Sequence, residues 1–73
     1  MTDHPQILEP LFALCRDRGW KLDWNTQHRG LMWAAEIIVT DQGGTIITRA
    51  WGHKSEEADA LREAVEDAIK QLG

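Results

Sequence analysis

The chain has no tyrosine, one phenylalanine, one cysteine (Cys15) and two prolines in 73 residues. A lone cysteine excludes an internal disulfide framework and fits a reducing cytoplasm. No apolar run is long enough to span a bilayer, and the N-terminus lacks a signal-peptide pattern. Positive charge is scarce. Eight Lys and Arg stand against twelve Asp and Glu, a formal net charge of -4. A protein whose main task is to grip phosphate backbones is usually basic. His4, His28 and His53 do not pair at i, i+4 with another ligand, and there is no Cys-x-x-Cys, so no metal or cofactor is expected. No acid/base pair and no nucleophile with a partner base can be assembled from the spacing, so no catalytic activity is expected. Repeats, low-complexity segments and linkers are missing too, which leaves one domain over residues 1–73.

What is present is organised around Ala34 to Trp51, AAEIIVTDQGGTIITRAW. Two runs rich in Val, Ile and Thr flank Asp41-Gln42-Gly43-Gly44. β-Branched residues suit a pleated, half-buried surface, and paired glycines suit a tight turn. The stretch reads as an antiparallel hairpin. With a four-residue loop, Thr40 faces Thr45, Ile38 faces Ile47, Glu36 faces Arg49 and Ala34 faces Trp51. On the other side Val39 meets Ile46, Ile37 meets Thr48 and Ala35 meets Ala50. A two-residue loop shifts the partners and keeps the faces; a three-residue loop flips one strand. The Glu36–Arg49 pair marks the solvent side, worth ~0.2–1 kcal/mol. Leu31, Trp33, Ala35, Ile37 and Val39 then form the core side.

Upstream, Ile7, Leu8, Leu11, Phe12, Leu14 and Cys15 share one helical face. A helix is expected over about 7–18, with Pro10 in its first turn and Gly19 ending it. Trp20-Lys21-Leu22-Asp23-Trp24 alternates and reads as a strand, followed by a polar loop over 25–30. The hairpin strands are expected over about 31–40 and 45–51. Ser55 is the expected N-cap of a last helix over about 56–72, whose apolar stripe is Ala58, Leu61, Ala64, Val65, Ala68, Ile69 and Leu72. The order α-β-β-β-α implies an α+β two-layer sandwich: a three-stranded antiparallel sheet with both helices on one face.

On these residues the chain resembles the double-stranded RNA-binding domain family. In that family the third strand leads into a helix opening with Ser-Lys-Lys-x-Ala-Lys. Here Gly52-His53-Lys54-Ser55-Glu56-Glu57-Ala58-Asp59 matches at Ser55 and Ala58, while Glu56, Glu57 and Asp59 occupy the lysine positions. The resemblance implies the fold, and it implies nucleic-acid contact through Gln27, His28 and Arg29 in the first interstrand loop and through Lys54. The acids where phosphate-gripping lysines stand in the family disfavour that function. A looser similarity is to small α-β-β-β-α proteins of phages and prophages, on the Gly-Trp strand start and the Ala-rich last helix.

The uncovered sheet face is the other candidate surface. The expected register places Met32, Ile38, Ile47 and Trp51 there, around Glu36 and Arg49. A contiguous patch of this kind marks an interface. The sequence therefore points to a small cytoplasmic, non-enzymatic module that binds another protein or forms a homodimer, through this face, using Met32, Ile38, Ile47, Arg49 and Trp51, or through the acidic face of the last helix, Glu56, Glu57, Asp59, Glu63, Glu66 and Asp67. The alternative is a degenerate double-stranded nucleic-acid binder.

Overall fold

The computed structural model describes residues 4–73. The elements are α1 (His4–Arg18), β1 (Lys21–Arg29), β2 (Met32–Thr40), β3 (Ile46–Lys54) and α2 (Glu57–Leu72). The strands form one antiparallel sheet in the order β1-β2-β3. Both helices cover the same face: α2 lies over β3 and β2, and α1 packs on α2 and meets the sheet chiefly at β1. No helix is long and apolar enough to cross a membrane.

The core lies between the layers. Leu8, Leu11 and Cys15 come from α1, Ala35, Ile37, Val39 and Ala50 from the sheet, and Ala60, Leu61, Ala64, Val65 and Ala68 from α2. Each fully buried Leu, Ile or Val contributes ~1.5–3 kcal/mol. The small α2 residues let that helix come close to β3. At Gly52, a Cβ would run into the carbonyl oxygen of Ala60 and lie 2.9 Å from the Ala64 nitrogen. Only glycine fits there.

Several boundaries move from the sequence reading. α1 starts at His4, so Pro10 lies inside the helix, exposed, instead of in its first turn. Tertiary contacts hold the extra turn: the His4 ring meets Trp24 edge-on at 5.2 Å, and its Nε2 is 3.0 Å from Glu57 Oε1. The expected polar loop over 25–30 is largely strand. β1 runs to Arg29, and the connection is a two-residue turn, Gly30-Leu31. Gly30 takes φ +62°, while Leu31 stays at negative φ, the pattern of a type II′ turn with glycine first. Leu31 was expected in the core; at the turn tip it is 91% exposed. At the other end, Glu56 and not Ser55 holds the N-cap position of α2, without a side-chain cap bond.

The β2–β3 hairpin closes with a five-residue loop. The Asp41 carboxylate accepts from the Gly43 and Thr45 amides, both at 2.9 Å. Thr40 pairs with Ile46, and a bulge between Val39 and Thr40 then sets Val39 opposite Thr48. The loop and the bulge each add one residue to the expected register. Their sum is two, so Arg49 and Trp51 stay on the open face although their partners become Ile38 and Glu36.

Candidate functional site

The face of the sheet away from the helices can be laid out from the pairing. In successive rows it carries Lys21, Thr40 and Ile46; Asp23, Ile38 and Arg49; Asn25, Glu36 and Trp51; Gln27, Ala34 and His53; and Arg29 with Met32. Period-two alternation puts these side chains on one side and Leu22, Trp24, Ile37, Val39 and Ala50 on the other. Met32 is 44%, Ile46 51% and Trp51 48% exposed. Ile38 is half-buried among its neighbours.

Four of the five residues expected at an interface, Met32, Ile38, Arg49 and Trp51, share this face. Ile47 does not. It is the extra residue at the bulge, and its side chain packs against the core cluster. Ile46, expected inward, takes the exposed place. Two adjacent isoleucines exchange faces because the fifth loop residue shifts the register by one, and the bulge at Ile47 restores the expected faces from Thr48 onward.

Glu36 is the electrostatic centre. It is expected directly opposite Arg49 but lies diagonal to it, with Arg49 Nε 3.5 Å from Oε2. Its Oε1 accepts from the Asn25 amide at 3.4 Å. Both carboxylate oxygens therefore have partners. The Arg29 guanidinium donates twice to Gln27 Oε1, at 3.1 and 2.8 Å. Between these groups lies a shallow depression of about 70 Å³, lined by Asn25, Gln27, Arg29, Ala34, Glu36 and Trp51. Ala34 is buried and forms its floor. Sites for cofactors and small molecules run to ~300–1,000 Å³. A depression of this size admits one protruding side chain, not a cofactor.

The four residues proposed for nucleic-acid contact are separated. Gln27 and Arg29 stand beside Trp51 on the open face. His28 and Lys54 belong to rows whose side chains point toward the helix layer. His28 stacks on Trp33 at 4.8 Å, and Lys54 Nζ lies 3.3 Å from Glu63 Oε2. The open face carries three cations, Lys21, Arg29 and Arg49, against two carboxylates, Asp23 and Glu36.

Two residues of α2 perform a task the sequence reading missed. The Glu63 carboxylate accepts from the His53 backbone N–H at 2.9 Å. The Gln71 amide donates to the Arg49 carbonyl at 3.5 Å. These are outward-facing backbone groups of the edge strand β3, so α2 caps that edge. The spacing agrees: eight residues of helix rise ~12 Å, and four residues of strand span ~13 Å. The His53 amide, and after it Lys54, hold the Glu63 carboxyl below its ordinary value. Cys15 is buried, and burial pushes its thiol pKa up, which disfavours the reactive thiolate. Among the described residues no cluster of His, Cys, Asp and Glu could hold a metal ion. The chain matches no protein-family model, no curated protein and no solved structure.

Proposed function

We propose that the protein is a non-enzymatic binding module that recognises another protein, including a second copy of itself, through the open sheet face. One observation carries the reading: a half-exposed Trp51 stands over a side-chain-sized depression, with its neighbouring carboxylate already satisfied. Trp and Arg dominate interface energetics when they are seated in such pockets. Glu36 needs no new counter-ion, so covering it by a partner strands no charge. Face-to-face self-association would also enlarge a core that is small for an independently stable domain. The buried Cys15, its thiol pKa raised by burial, suits a reducing cytoplasm.

Sedimentation equilibrium of the wild type and of Trp51→Ala tests the reading. The wild type associates with rising concentration. The variant loses ~2 kcal/mol of association, roughly 30-fold in affinity, with an unchanged thermal melt. Double-stranded RNA and DNA titrated at low and moderate salt test the alternative. Binding that falls steeply with salt would replace a protein partner with a phosphate backbone, and Gln27 and Arg29 beside Trp51 would then be the contacts.

A further inference from the structure

The two edges of the sheet are finished differently, and we infer that β1 is a docking edge for an extended segment of a partner protein, which joins the sheet as a fourth, antiparallel strand. The backbone direction follows from the turn. In a two-residue hairpin the closing residues, here Arg29 and Met32, direct their N–H and C=O groups at each other. Alternation then turns Gln27, Asn25, Asp23 and Lys21 toward β2 as well. Leu22, Trp24, Thr26 and His28 direct their backbone groups outward. On β3 the same alternation leaves Arg49, Trp51 and His53 facing out, and α2 takes up two of those groups through Glu63 and Gln71. Among the described residues no helix side chain does the same for β1. An uncapped nine-residue edge is a template for strand addition.

The helix layer leaves room for one more strand. Adjacent strands lie ~4.8 Å apart and packed helices ~8–10 Å apart. α2 stands over β3, where its backbone meets Gly52. α1, ~8–10 Å from it, is centred near β1, which lies ~9.6 Å from β3, and reaches ~5–6 Å to either side of its axis. α1 therefore overhangs the edge by about one strand's width. Beneath the overhang, Leu22, Trp24 and Phe12 remain half-buried. Phe12 sits across the buried stripe of α1 from Ile7, which lines the groove toward α2. A second copy joined at β1 would bring its own α1 against the first: the two α2 axes would stand ~24 Å apart, the least that three helix contacts of ~8–10 Å allow. An extended peptide brings no helix.

Charge states the rest of the occupant's chemistry. On the open side, β1 presents Lys21, Asp23 and Arg29, and Asp23 has no ion-pair partner among the described residues. An antiparallel strand that fits has an acid opposite Arg29, a base opposite Asp23 and an acid opposite Lys21. Apolar residues alternate with these and cover Leu22, Trp24 and Phe12.

The probe is the peptide EVTVTVKVE, in which the first Glu meets Arg29, the Lys meets Asp23 and the last Glu meets Lys21. Its controls are the charge-swapped KVTVTVEVK and EVTVTVKVE N-methylated at its fourth residue, the valine that faces Thr26. Amide exchange is read residue by residue on the full chain. EVTVTVKVE slows exchange at Leu22, Trp24, Thr26 and His28. The swapped peptide binds about tenfold more weakly, since three favourable cross-strand pairs become unfavourable. The N-methyl peptide gives no protection, and Trp51→Ala leaves all three results unchanged. No slowing at millimolar peptide, equal binding of the two charge patterns, or protection confined to the residues around Trp51 would overturn the assignment. So would sedimentation showing two chains joined at β1. Loss of self-association in Trp51→Ala with β1 still protected separates this edge from the open-face reading.

Discussion

Replacing Gly52 with alanine separates what the strand prefers from what the packing allows. Gly52 lies inside β3, opposite Ala35. Judged as a strand residue alone, Gly→Ala should stabilise by ~0.4–1 kcal/mol, because it narrows the unfolded ensemble. The packing demands the opposite sign. The new Cβ would enter the space of the Ala60 carbonyl oxygen, 3.0 Å from the Ala60 carbonyl carbon and 2.9 Å from the Ala64 nitrogen. Those backbone atoms are the acceptor and donor of one helical hydrogen bond, so no side-chain rotation makes room. α2 must lift from β3. A gap of 0.5–1 Å forfeits roughly a quarter to a half of each dispersion contact along the seam, and overpacking by one methyl in a tight core is itself worth ~1–3 kcal/mol. The expected loss is about 3 kcal/mol, or ~12–24 °C in Tm for a domain of this size. A domain of 73 residues has ~4–11 kcal/mol in all. Far-UV circular dichroism melts and urea titrations of Gly52→Ala measure it. Adding Ala60→Gly should not rescue the variant, because the obstacle is backbone. A melt equal to or above the wild type would refute the close approach of α2 to β3.

Two further outcomes follow from the hairpin and its cap. Ile46→Asp should lower the unfolding free energy from urea titration by no more than ~0.5 kcal/mol, whereas Ile47→Asp, which buries an unpaired carboxylate against the core, should lose at least ~2 kcal/mol; equal effects would place the bulge wrongly. Glu63 has a folded pKa below its unfolded one, so its contribution is fully present above the unfolded glutamate pKa and disappears as pH falls through the folded value. Melts from neutral pH down to about pH 3 should therefore show a shallower acid limb in Glu63→Gln than in the wild type, and an identical limb in both would exclude the His53 cap.

The element order was legible because each element carries its period: Leu8, Leu11 and Cys15 on α1, Leu61, Ala64, Val65 and Ala68 on α2, Ile37 and Val39 on β2. Where reading failed, chemistry was ambiguous. The second half of β1 places Thr26 and His28 on its inward side, so its alternation lacks the apolar contrast that marks a strand, and it passed for a loop. Gly30-Leu31 does carry a turn signal, a glycine first in a two-residue connection, but the apolar Leu31 drew that residue into the expected strand. The bulge was invisible because Ile46 and Ile47 are chemically identical, and only the pairing of Val39 with Thr48 distinguishes them. Of the candidate face, Met32, Ile38, Arg49 and Trp51 could be found from alternation. The nearness of Gln27 and Arg29 to Trp51 could not, since it depends on β1 continuing as strand. The cap by Glu63 and Gln71 has no local signature. It arises only when helix and strand are laid side by side.

The order of the elements has a consequence for synthesis. α2 covers most of the sheet and is the last element of the fold. A nascent chain on the ribosome has made all three strands before any residue of that helix exists. Until Leu61, Ala64 and Val65 emerge, the side of Ile37 and Val39 destined for the interior faces water over the whole hairpin. Domains with exposed strands of this kind are prone to misassociation while incomplete. A chain stalled before α2 would be a substrate for chaperones or proteases, and it would leave that condition only once α2 folds over the strands.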